Sequence, residues 1–88
     1  MMKKEKLTID KIVEIEAEGL SEEDRKSLLN ISDDNGFAVG YRMYLRNEYV
    51  DTRRIVYDDF LLANIRPENL TEIIFGRIVK RIKHLYSQ

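Results

Sequence analysis

The sequence predicts an α+β fold: a small two-layer domain whose antiparallel sheet, reached in the order β-α-β-β-α, is covered by a C-terminal amphipathic helix. Three observations lead there. Residues 7–19 alternate apolar and polar, the runs "FAVGYRMYLR" and "YVDTRRIVY" alternate on either side of Asn47-Glu48, and the stretch from Leu70 to Tyr86 repeats its apolar residues at helical spacing.

The first run, "LTIDKIVEIEAEG", sets Leu7, Ile9, Val13, Ile15 and Ala17 against Thr8, Asp10, Glu14, Glu16 and Glu18, with one break at Lys11-Ile12. Ile9, Ile12, Val13, Ala17 and Leu20 would equally make a helical stripe. The density of β-branched side chains, which are stiff and suit a pleated surface, favours the strand. Next, "LSEEDRKSLLNI" (20–31) reads as a helix. Ser21 caps it with Asp24 three residues on, three acids favour the positive end of its dipole, and Leu28, Leu29 and Ile31 are its buried end. "SDDNG" (32–36) is a turn.

In the hairpin, Phe37, Val39, Tyr41, Met43 and Leu45 share one face of the strand 37–46, and the strand 49–57 returns after Asn47-Glu48. A two-residue turn pairs Leu45 with Val50, Met43 with Thr52 and Val39 with Val56 in the core, and a slip of one residue would reverse the second strand. The opposite face then presents Arg42, Tyr44, Arg46, Tyr49, Arg53 and Tyr57, with Asp51 and Ile55 among them. Residues 58–65 form a short helical turn capped by Asp58 or Asp59, which Pro67 keeps from running on. Asn69, with Glu72 as its capping-box partner, opens the last helix, Leu70 to Tyr86. Its apolar half holds Leu70, Ile74, Phe75, Ile78, Val79, Ile82, Leu85 and Tyr86, and Arg77, Lys80, Arg81 and His84 form a basic ridge opposite.

Composition closes several routes to chemistry. The 88 residues make one domain, 7–88, behind a basic N-terminal tail, 1–6, that carries no secretory h-region. There is no cysteine, which excludes disulfides, thiolate nucleophiles and zinc-thiolate sites and fits the cytoplasm. Aligning Gly36 with the glycine of a calcium loop puts Ile31 and Arg42 where acids belong, so no calcium site is expected. Glu14, Glu16 and Glu18 on one strand face are read as its wet side rather than a metal site. Gly36 and Gly40 lack the Gly-Lys-Ser/Thr of a phosphate loop, and His84 has no nearby acid on its helix. Neither catalytic residue, metal nor cofactor is expected, and no apolar run is long enough to span a bilayer. Asn69-Leu70-Thr71 matches the glycosylation pattern by accident.

Charge is uneven. Residues 1–36 hold six Lys/Arg against ten Asp/Glu, a balance of −4; residues 37–88 hold nine against six, +3, for the total of −1. Such a dipolar chain either orients on a charged partner or neutralises itself across the fold. The Tyr/Arg face has the composition of interface anchors. Together these features predict a non-enzymatic protein-binding module, a small adaptor or inhibitor that acts by covering a surface of its partner, with a nucleic-acid-handling protein suiting the charge. The alternative is direct nucleic-acid binding through the basic ridge and the Tyr/Arg face, against which the sequence pI of 5.8 counts. A homodimer is allowed; membrane association is not expected.

Overall fold

Thr8 decides how the chain starts. The computed structural model describes residues 5–29, 36–57 and 60–86, and in it Thr8 is extended while its hydroxyl accepts the amide of Lys11 at 3.2 Å, capping the first helix, α1 (Ile9–Gly19). Only Leu7–Thr8 (β1) remains of the strand expected over 7–19. The helical stripe prevails: Ile9, Ile12, Val13 and Ala17 are buried, whereas Ile15, which a strand would turn inward, is 41% exposed. β-branching costs a helix a few tenths of a kcal/mol per residue, less than the ~1.5–3 kcal/mol that each buried isoleucine contributes.

The second helix follows its predicted start. Ser21 Oγ accepts the amide of Asp24 at 3.1 Å, and α2 (Glu22–Leu29) buries Leu28. Arg25 ties the two helices together, donating through Nε to the carbonyl of Ala17 at 3.0 Å and through Nη2 to that of Glu18 at 3.1 Å. Two of the free carbonyls at the end of α1 are thereby satisfied. Ile31 and the turn 32–35 lie outside the described residues.

The antiparallel hairpin is not formed. Residues Gly36–Leu45 are a helix, α3, which runs into a π-helical turn, Arg46–Val50, closed by the Asp51 amide on the Arg46 carbonyl at 2.8 Å. Its buried residues are Ala38, Tyr41, Leu45 and Tyr49, steps of three and four that mark a helix face. Val39 and Met43, expected in a sheet core, are 48% and 61% exposed, so the pairs Leu45/Val50, Met43/Thr52 and Val39/Val56 do not exist. The alternation was real but uninformative, because apolar residues lie on nearly every side of this segment and burial selects the helical subset. After a turn in which Arg53 adopts φ 57, Ile55–Val56 (β2) pairs with β1 in parallel, Leu7 opposite Ile55 and Thr8 opposite Val56. These two short strands are the whole sheet among the described residues. The predicted two-layer α+β domain is thus replaced by a mostly helical one.

A short helix, α4 (Phe60–Ala63), matches the expected helical turn, whose proposed caps Asp58 and Asp59 lie outside the described residues. The last helix, α5 (Pro67–Tyr86), begins three residues earlier than predicted, with proline at a first-turn position that needs no amide. Asn69 therefore sits inside the helix instead of capping it. The apolar face is otherwise as expected: Leu70, Ile74, Phe75, Ile78, Val79 and Ile82 are buried, Leu85 is half-buried and Tyr86 exposed. This face packs on α1 and α3, so α5 covers helices where it was expected to cover a sheet.

Candidate functional site

Three tyrosines converge on one carboxylate. Tyr41 donates its hydroxyl to Glu16 Oε1 at 2.8 Å, and Tyr44 and Tyr49 donate to Oε2 at 3.1 and 2.5 Å. Glu16 comes from α1, the tyrosines from α3 and its π turn. Tyr41 and Tyr44 share a helix side because they are three residues apart. Tyr49 would sit ~80° around from Tyr41 on an uninterrupted α-helix. The wider π turn winds less per residue and swings it back toward Glu16. Burial, reinforced by the bond to Glu16, raises the Tyr41 and Tyr49 hydroxyls far above the ordinary phenol range; burial and the Glu16 charge raise Tyr44 as well.

The rings pack in a row. Phe37 and Tyr41 have centroids 6.0 Å apart and planes 7° apart, Tyr41 and Tyr44 are 5.7 Å apart at 27°, and Tyr44 meets Tyr49 edge-on at 6.5 Å. One side of this row forms the wall of an open groove of about 430 Å³ between α1, α2 and α3. Ile15 and Leu20 supply its apolar side, Glu16 and Asp24 its acids, and Gly19 leaves its rim bare, since a Cβ there would meet nothing within 4 Å. No Lys, Arg or His lines it among the described residues. The Asp24 carboxylate has no partner among the described residues.

The residues predicted from the sequence are dispersed by the helical fold. Tyr44 lines the groove, but Tyr49 is buried behind it, under the guanidinium of Arg54 at 5.0 Å. Arg54 also pairs with Glu48 at 2.7 Å and bonds the Glu5 carbonyl at 3.3 Å, clipping the start of β1 to the end of α3. Arg42 covers the Phe75 ring at 4.4 Å; its Nε lies 3.1 Å from Glu72 Oε1, an ion pair whose angle is too poor for a hydrogen bond. Arg46 pairs with Asp51 at 3.5 Å, and Arg53 and Tyr57 stand exposed on the turn and after β2. These six residues do not form one face.

The basic ridge does hold together, since Arg77, Lys80, Arg81 and His84 are all exposed along α5. Two of its members are answered by α1: Arg77 lies 3.9 Å from Asp10 and Arg81 4.0 Å from Glu18. The acidic and basic halves of the chain meet there, in exposed pairs worth little individually. Glu14, Glu16 and Glu18 no longer share a face, because residues two apart on a helix point differently. Among the described residues, no group of three or more His, Cys, Asp or Glu is placed to hold a metal ion, and no helix is long and apolar enough to cross a membrane. The groove itself escaped the sequence reading. Its signal was Tyr41 and Tyr44 at helical spacing, with Phe37 one turn before, visible only once 36–45 is taken as a helix. Compared with known proteins, the chain matches no family model, no curated protein and no solved structure.

Proposed function

We propose that this chain is a small non-enzymatic protein-binding module that holds a basic segment of a partner in the groove between α1, α2 and α3. The observation that carries the reading is the groove's composition: an aromatic and apolar wall beside two carboxylates, with no cation among the described residues that line it. Aromatic side chains are effective anchors at protein interfaces, and a single-sign acidic rim favours partners of opposite charge. A partner that handles nucleic acid suits this chemistry, because its own binding surface is basic. Occupying that surface would make the module an inhibitor or adaptor. The lack of cysteine supports a reducing compartment such as the cytoplasm.

A photo-crosslinking amino acid at Ile15, which lines the groove and is partly exposed, tests the proposal in the host cell, with a second probe at Lys80 on the basic ridge. The expected product joins position 15 to a Lys/Arg-rich segment of a protein, mapped by mass spectrometry. Cross-links to nucleic acid from position 80 with none to protein from position 15 would overturn it in favour of direct nucleic-acid binding. An acidic or uncharged segment at position 15 would overturn it equally.

A further inference from the structure

We infer that the groove selects an arginine on the basic segment, with the guanidinium lying against the exposed Tyr44 ring and pairing with Asp24. The inference rests on the groove being the protein-binding surface and names the side chain that enters it. Two features of the site point to a guanidinium rather than an ammonium, and a third explains why Asp24 is open to it.

The first is the state of the rings. A phenol that donates its proton to a carboxylate gains electron density, and the ring face becomes a better seat for a cation. Tyr41 and Tyr44 both donate to Glu16, at 2.8 and 3.1 Å. The two rings are stacked 27° apart, and Tyr41 is stacked in turn with Phe37 at 7°, so Tyr41 is buried among its neighbours while Tyr44 remains 43% exposed. The exposed Tyr44 ring offers the groove one planar surface, not the converging walls that enclose a rounded quaternary ammonium. A planar, weakly hydrated guanidinium stacks on a flat face; a compact, strongly hydrated ammonium does not.

The second is the division of labour between the acids. Glu16 accepts three hydroxyls, so its oxygens are already occupied and it acts on the ligand through the rings. Among the described residues, neither oxygen of Asp24 has a partner. A carboxylate with two open oxygens matches the two-pronged donor edge of arginine, which lysine lacks.

The third is the nearby cation, Arg25. It sits next to Asp24 in sequence, yet its guanidinium is turned to the carbonyls of Ala17 and Glu18 at the end of α1. Among the described residues, Asp24 is therefore left uncompensated beside an apolar wall, and Lys26 is engaged elsewhere, 3.4 Å from Glu22.

Nuclear magnetic resonance titrations of the whole chain with N-acetyl-arginine methylamide and N-acetyl-lysine methylamide test this. The arginine compound should shift the ring signals of Tyr41 and Tyr44 and the amide of Asp24 in a saturable way. The lysine compound should bind at least about threefold more weakly. Asp24→Asn should erase that preference. Gly19→Lys, whose side chain enters open space at the rim, should keep the fold and remove arginine binding through self-occupation. Equal affinities for the two compounds, or an arginine preference that survives Asp24→Asn, would overturn the inference while leaving the basic-segment reading to the cross-linking result. No shift with either compound would overturn it too. Should Gly19→Lys prove unstable, the Asp24→Asn titration still decides.

Discussion

If the tyrosine cluster on Glu16 is a coupled unit, its members must fail non-additively. Tyr49 is 4% exposed and donates to a charged acceptor at 2.5 Å. Hydrogen bonds to charged groups contribute ~1.5–3 kcal/mol, and the half-buried Glu16 argues for the lower end. Tyr49→Phe should therefore cost about 1.5 kcal/mol, and Tyr41→Phe, at 2.8 Å and buried, slightly less. Tyr44→Phe should stay within ~0.5 kcal/mol, because Tyr44 is 43% exposed and water replaces its bond. Glu16→Ala is worse than any of these. It strands the buried Tyr41 and Tyr49 hydroxyls, at ~1–3 kcal/mol for each donor left unsatisfied, for a loss of about 3 kcal/mol in total. A domain of this size has a stability on the order of 5–10 kcal/mol, so the variant remains measurable. Urea titrations of the two single variants and the double variant Glu16→Ala/Tyr49→Phe supply the decisive number. In the Tyr49→Phe background, Glu16→Ala should cost about 1–2 kcal/mol less than in the parent, since one of the stranded donors is already gone. Additivity within ~0.5 kcal/mol would refute the cluster as a unit.

Alkaline pH should destabilise the protein from about pH 10 upward. The Tyr41 and Tyr49 pKa values are raised in the folded state, so above the unfolded value of 10.0 the unfolded chain loses protons that the folded one keeps. The stabilisation is then full below pH 10 and is lost as pH rises toward the folded values. Urea midpoints at pH 8, 10 and 11 check this, and a flat profile would contradict it. Arg53→Gly should stabilise by up to ~1 kcal/mol, because φ 57 strains a side chain and not glycine; thermal unfolding reads it. Ile78→Asp should cost ~3 kcal/mol or more by placing a charge at a fully buried position of α5, and Lys80→Asp within ~0.5 kcal/mol; equal losses would put the helical phase of α5 in error.

The parts of the fold legible in the sequence are those where one periodicity stood alone. In α5, aliphatic residues recur at helical spacing with charges between them, and the structure buries that stripe from Leu70 to Ile82. The start of α2 was legible because Ser21 followed by acids has one physical use. Where two periodicities coexisted, propensity chose wrongly. Residues 9–17 satisfy both templates, and the choice fell to tertiary burial, which a short window does not contain. In 37–45 the alternation included Val39 and Met43, which face outward on a helix and only mimic a strand's inner face. A hairpin reading also requires a tight turn, and Asn47-Glu48 was a poor candidate for one. That mismatch was the local sign that the chain continues through Arg46–Val50 as a wider helical turn.

That wider turn links the misreading to the site. Tyr44 and Tyr49 were picked as exposed anchors on one face of the expected hairpin, one on each strand. The π turn instead brings both hydroxyls onto Glu16, a residue assigned to the wet face of a different strand. Once Glu16 is the hub, the aromatic row is fixed in orientation from α1, and the side of it that the core does not cover becomes the groove wall. The charge asymmetry resolves in the same geometry. Asp10 and Glu18 turn toward Arg77 and Arg81 on α5, Glu16 turns to the tyrosines, and Arg25 turns away to the carbonyls of α1. Among the described residues, Asp24 is a carboxylate left open beside an apolar surface, so a partner's cation that pairs with it can also bury apolar area.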